Sequence, residues 1–193
     1  MRFEGWRLTG VISAGLAVFL AVTLFWYGLN EEGVRVWVRN SARSSVMLFL
    51  LAFSASSLQR LLGQRWSEWL LRNRRYIGVS FAVSHFYHLL GLISLALWFP
   101  QYLFNEIGWP FLAAGSLGYA FIAAMTATSF DKTRAWLGER PWRRLHTLGA
   151  YYLWLIFAVS YFMRAFEDRF YIPFAGLVAL AMLLRISAWR FRK

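Results

Sequence analysis

The sequence predicts an all-α membrane protein, a polytopic bundle of six transmembrane helices with both termini in the cytoplasm. Three observations carry this. The 193 residues are 59% hydrophobic and 20% aromatic, with a mean hydropathy of +0.45, well above the roughly 45–50% apolar share of soluble domains. The apolar residues gather into six stretches of about 20, each long enough at a rise of 1.5 Å per residue to cross a hydrocarbon core of about 30 Å. The Lys and Arg residues divide unevenly between the two sets of connecting loops.

The first stretch, Leu8–Leu29, is longer than the apolar core of a signal peptide and has no Ala-x-Ala exit, so it is expected to be retained. The second and third, Arg43–Leu62 and Arg75–Phe99, flank a charged connection. The fourth, Trp109–Phe130, is rich in small residues (Ala113, Ala114, Gly115, Ser116, Gly118, Ala120), which let neighbouring helices or a flat macrocycle approach its backbone. The fifth and sixth are Arg144–Met163 and Tyr171–Trp189. Trp26, Tyr27, Trp66, Trp98, Tyr102, Trp109, Trp136, Trp142, Tyr171 and Trp189 stand at their ends, as an aromatic belt requires. Every connection is shorter than about 20 residues, so residues 1–193 read as a single membrane domain.

Orientation follows from the basic residues. One side receives Arg2, Arg7, Arg60, Arg65, Arg72, Arg74, Arg75, Lys132, Arg134, Arg140, Arg143, Arg144, Arg190, Arg192 and Lys193. The other receives Arg35, Arg39, Arg43, Arg164 and Arg169, and Arg185 snorkels from within the last span. Fifteen against five puts the richer side, with both termini, in the cytoplasm. The net charge of +12 is thus spread over short loops rather than along one soluble face. That argues against nucleic acid and for anionic lipid headgroups as partners. The chain has no cysteine, which excludes Fe–S clusters and thiolate-ligated haem. There is no phosphate-binding glycine loop, catalytic triad or nucleotide fingerprint.

The three histidines all fall in or at the mouth of a span: His85 and His88 in the third, His146 at the start of the fifth. Burying imidazole in hydrocarbon is costly, so such residues are candidates for metal ligation or proton relay. His85 and His88 are three apart and share a helix face. Histidines on two spans suggest a metal or haem held between helices; the plainer alternative is that they hydrogen-bond and orient helix contacts.

Two segments carry a family resemblance. Arg74-Arg75-Tyr-Ile-Gly78 leads through Val-Ser-Phe-Ala-Val-Ser to His85-Phe-Tyr-His88; Thr126-Ala-Thr-Ser-Phe130 is followed by Leu137-Gly138 and Trp142-Arg-Arg-Leu-His146. Together they resemble the ferric-reductase-like transmembrane domain family, and within it the haem-binding membrane subunits of bacterial periplasmic methionine-sulfoxide reductase systems. The resemblance covers about residues 40–165. It implies haem ligation at His88 and His146, with His85 an addition to the pattern. The family places a further haem histidine about thirteen residues after the one in the fifth span. Val159 and Ser160 stand there in this chain.

Depth bears on pairing. His88 is thirteen residues into its span, about 20 Å deep, and His146 about 5 Å. An offset near 15 Å argues against one iron bridged by both. A haem with one protein ligand, or with Met125 or Met182 as the second, remains, as does a fold that has lost its haem. Arg74 and Arg75 with Arg143 and Arg144 form a cationic ring fit for propionates or for an anionic flavin or quinone headgroup; its plainer role is to set topology. The loop holding Arg164, Glu167, Asp168 and Arg169 is a solvated turn or a docking point for an outer partner.

The resulting expectation is a b-type haem membrane electron-transfer subunit. It would relay electrons from quinol or a flavin reductase to an outer-face acceptor, through a separate redox partner, with no nucleotide-binding domain of its own. The alternative is a haem-less scaffold beside a larger respiratory or photosynthetic complex. A small transporter ranks third, because no broken-helix pair or repeat is present.

Overall fold

The computed structural model describes residues 3–102 and 108–190; Arg2, Arg192 and Lys193 of the charge count lie outside them. The described residues form helices and no strand: α1 (Trp6–Tyr27), α2 (Glu31–Leu62), α3 (Arg65–Trp98), the single turn α4 (Pro100–Tyr102), α5 (Trp109–Ala127), α6 (Asp131–Leu137), α7 (Glu139–Glu167) and α8 (Ile172–Arg190), the last preceded by a 3-10 turn at Arg169–Tyr171. Six of these are long and apolar enough to span a membrane, as expected.

The helices overrun the expected spans. α2 begins twelve residues before Arg43 and α3 ten before Arg75. Hydropathy reports where charge stops, whereas helix continues wherever the backbone can be capped. At Asn30 the side chain accepts from the Gly33 amide at 2.9 Å, and Glu31 and Glu32 sit favourably against the positive end of the helix dipole. Gly33 is required there, since a Cβ would drive into the Gly28 carbonyl. Between α2 and α3, Gly63 takes a positive φ of 59°. Ser67 Oγ then accepts from the Gln64 amide and donates to Gln59 Oε1 at 2.7 Å. The short α6 was not expected; it packs seven residues between the turn at 128–130 and Gly138, whose φ of 84° ends it.

The chain forms two compact units, residues 1–49 with 76–116 and residues 50–75 with 117–193. In the first, α2 and α3 lie antiparallel and close. Ser41, Ser45, Ser80 and Ser84 are buried, and Ser45 Oγ donates to Ser84 Oγ at 3.0 Å. Small hydroxyl residues suit such an interface, because lipid supplies no hydrophobic force between helices. Val34, Trp37 and Leu95 form the adjacent core, with Leu20 and Leu24 of α1 packed on it. Thr9 Oγ1 of α1 donates to the Tyr76 carbonyl at 3.1 Å.

In the second unit α7 packs on α8. Trp154 Nε1 donates to the Val178 carbonyl at 3.0 Å, and the Tyr161 and Phe174 rings stack 5.4 Å apart. Gly118 of the small-residue stretch meets Leu153 and Tyr152. Arg60 Nη1 donates to the Ala188 carbonyl at 3.1 Å.

Candidate functional site

His88 lies in the first unit, and its partners fix its chemistry. Nδ1 is 3.0 Å from the Val38 carbonyl and 3.3 Å from Ser41 Oγ. A carbonyl only accepts, so Nδ1 carries the proton and donates. In the neutral ring the lone pair is therefore on Nε2. A ring N–H given to a backbone carbonyl is the arrangement that orients a metal-ligating histidine and raises its basicity. The close approach depends on Gly91, one turn along α3: a Cβ there would come within 2.7 Å of Val38 Cγ2.

His85 packs between two rings of its own helix, with centroids 5.4 Å from Phe81 and 5.1 Å from His88. Among the described residues no group of three or more His, Cys, Asp and Glu side chains could hold a metal ion. A metal bound at His88 must therefore bring most of its ligands with it. A haem would do so, and His88 would hold it through one imidazole nitrogen. The donor chemistry at His88 fits that group.

His146 lies in the second unit, where the ring stacks on Trp142 with centroids 4.5 Å apart. Its Nε2 is 3.1 Å from Thr128 Oγ1, which gives its own proton to the Ala124 carbonyl at 2.8 Å. Nε2 is thus the donor, and the lone pair is on Nδ1. Trp142 Nε1 donates to the Thr128 carbonyl at 3.0 Å, which ties the turn to α7. Met125 packs against Gly149, which has no Cβ to obstruct its sulfur. Val159, thirteen residues past His146, is exposed.

The arginines separate. Arg75 Nη1 pairs with Asp131 Oδ1 at 2.8 Å. Arg144 is exposed on α7. Arg74 alone of the three lies within electrostatic reach of His146. Arg185, expected only to snorkel from the last span, instead has its guanidinium 4.3 Å over the Phe53 ring and 4.9 Å over that of Tyr151. The only signal in the chain was a charge inside the last span; its partners come from helices far away in sequence.

No family model matches the chain, and no solved structure does. Curated proteins do. It is 29% identical to a protein of Bordetella pertussis over 93% of this chain and 88% of the relative. It is 28% identical to proteins of Cronobacter sakazakii and Salmonella paratyphi B over the whole chain and 96% and 97% of theirs. All three are named as the haem-binding subunit MsrQ of protein-methionine-sulfoxide reductase. With six helices of spanning length, these bacterial relatives assign the chain to the inner membrane as a multi-pass protein. Nearly end to end, then, the chain is similar to proteins named as MsrQ haem-binding subunits.

Proposed function

We propose that this protein is a b-type haem-binding membrane subunit that passes electrons across the inner membrane to a redox partner at the outer face. The observation that carries the reading is the hydrogen bond from His88 Nδ1 to the Val38 carbonyl, which places the lone pair of the neutral ring on Nε2, the nitrogen that would hold a haem iron. The absence of cysteine leaves no thioether attachment, so the group is held non-covalently. Once bound, haem iron cycles between two oxidation states and carries one electron at a time. The chain orients the imidazole, and its apolar spans keep water away from it. We assign the arginine-rich side, with both termini, to the cytoplasm. There Arg74, Arg75 and Arg144 flank the entry for a quinol or a reduced flavin, and His146 is a second ligand candidate.

The test is a reduced-minus-oxidised spectrum and a pyridine haemochrome on protein expressed with ample haem. The wild type is expected to show a Soret band that His88→Ala removes and His85→Ala keeps. No Soret band in the wild type overturns the reading.

One set of observations favours a haem-less scaffold instead: Val159 where a second ligand is expected, Nε2 of His146 engaged by Thr128, and apolar side chains such as Trp136 and Phe166 exposed by 85% and 90%. In that case the exposed aromatic surface packs against a larger membrane complex.

A further inference from the structure

The second unit contains a convergence of cations that includes Arg185, to which the electron-transfer reading gives no role. Arg185 is held in place on three sides: Nη1 donates to the Phe53 carbonyl at 3.0 Å, Nε to the Tyr151 hydroxyl at 3.3 Å, and both rings face the guanidinium. An arginine carries five N–H donors, so this anchoring leaves others to present. Within this unit the turn between α2 and α3, pinned by Gln59 with Ser67, runs the two helices back antiparallel, so that Phe53 of α2 and Arg74 of α3 fall at about the same distance from it. The charge of Arg74 acts on both Arg185 and His146. Arg74 is exposed, with protein close around its guanidinium.

Among the described residues no acid is paired with Arg74 or Arg185. Among the described residues Arg74 makes no hydrogen bond or ion pair. The nearby carboxylates are committed elsewhere: Glu68 to Arg72, Asp131 to Arg75, and Glu139 to both Arg134 and Arg143. Two guanidiniums brought together at the edge of an apolar bundle repel one another, and a bound anion relieves that repulsion. Guanidinium forks match the paired oxygens of a phosphate. Trp142 and Trp189 mark this end of the bundle as the interfacial belt, the depth at which lipid phosphates lie.

We propose that Arg74 and Arg185, with the Tyr151 hydroxyl, seat a phosphate oxyanion at the arginine-rich end of the second unit, supplied by an anionic phospholipid headgroup or by a free phosphate. The seat goes beyond the electron-transfer reading and does not require haem.

The test compares wild type, Arg74→Gln and Arg75→Gln, the last a neighbouring cation already paired. Each is reconstituted in nanodiscs of phosphatidylcholine with a minor fraction of phosphatidylglycerol, and the lipids retained after detergent extraction are counted by native mass spectrometry. In parallel, the thermal midpoint in neutral detergent is measured with inorganic phosphate against chloride at matched ionic strength. The wild type and Arg75→Gln are expected to retain phosphatidylglycerol in excess. Arg74→Gln should hold it about tenfold more weakly, the loss of one charge-assisted contact. A midpoint raised by phosphate in wild type but not in Arg74→Gln, without lipid retention, supports the seat and assigns it a free phosphate. Arg74→Gln matching wild type in both measurements overturns the proposal. Arg74 is exposed, so its substitution leaves the fold intact; Arg185→Gln adds a second arm where its midpoint stays near wild type.

Discussion

Gly91 lets α3 approach α2 closely beside His88, and replacing it should damage both packing and the imidazole's orientation. A Cβ at position 91 lies 2.7 Å from Val38 Cγ2 and 3.5 Å from the Trp37 ring. Ordinary carbon contacts are about 3.5–4.0 Å, so the helices must part by about 1 Å. Val38 cannot swing aside, because a β-branched side chain is confined to essentially one rotamer in a helix. Parting by that amount carries the Val38 carbonyl from 3.0 Å to a distance at which it no longer accepts from His88.

For Gly91→Ala the gain in helix propensity is about 1 kcal/mol. Against it stand about 1–3 kcal/mol of overpacking and about 1 kcal/mol for the hydrogen bond. Gly78, on the same helix, has nothing within 4 Å of its Cβ position, so Gly78→Ala receives the propensity gain alone. Reversible unfolding of the solubilised protein should therefore separate the two variants by about 2–4 kcal/mol, with Gly78→Ala at or above wild type. Equal stability of the two would refute the close approach, and with it the argument for what orients His88.

Three further outcomes are expected. A double-mutant cycle on Ser45→Ala and Ser84→Ala should return a coupling of about 0.6 kcal/mol, the usual value for a hydrogen bond between membrane helices; zero coupling would show that the 3.0 Å contact is not made. Thr128→Val removes the acceptor for His146 Nε2 and should cost about 0.5–1.5 kcal/mol, read from the same unfolding assay; an unchanged midpoint would mean that the imidazole has another partner. Asp131→Asn breaks a pair whose acid is 85% exposed, so stability should change by less than about 1 kcal/mol, a larger loss contradicting solvent screening at that pair.

The six spans were legible because charge and apolarity alternate on a scale that hydropathy resolves. The true length of α2 was not. Arg35, Arg39 and Arg43 recur every four residues in its first third, so to a window average they look like a loop, although the spacing keeps them on one helix face. The shared face of His85 and His88 was legible from their spacing alone. What orients His88 was not, because the Val38 carbonyl reaches it only through the pairing of α2 with α3. Thr128 and Trp142 lay within the motif that carried the resemblance, yet their contact with His146 needed the turn at 128–130 to fold back on α7. Arg185 was legible as a snorkelling charge, but a single charge in an apolar run gives no hint that the Phe53 and Tyr151 rings will lie against it.

The serines buried between α2 and α3 have a consequence for placement as well as adhesion. Two long apolar rods in lipid could slide past each other by one turn, about 5.4 Å, with little change in the surface they hide. Directional hydroxyl contacts such as Ser45 to Ser84 make one alignment unlike its neighbours, since a slip leaves them unmet. The altitude of His88 within the bilayer is therefore set by side chains that never touch whatever the imidazole binds, and exchanging those serines for alanine would loosen that altitude before it unfolded anything.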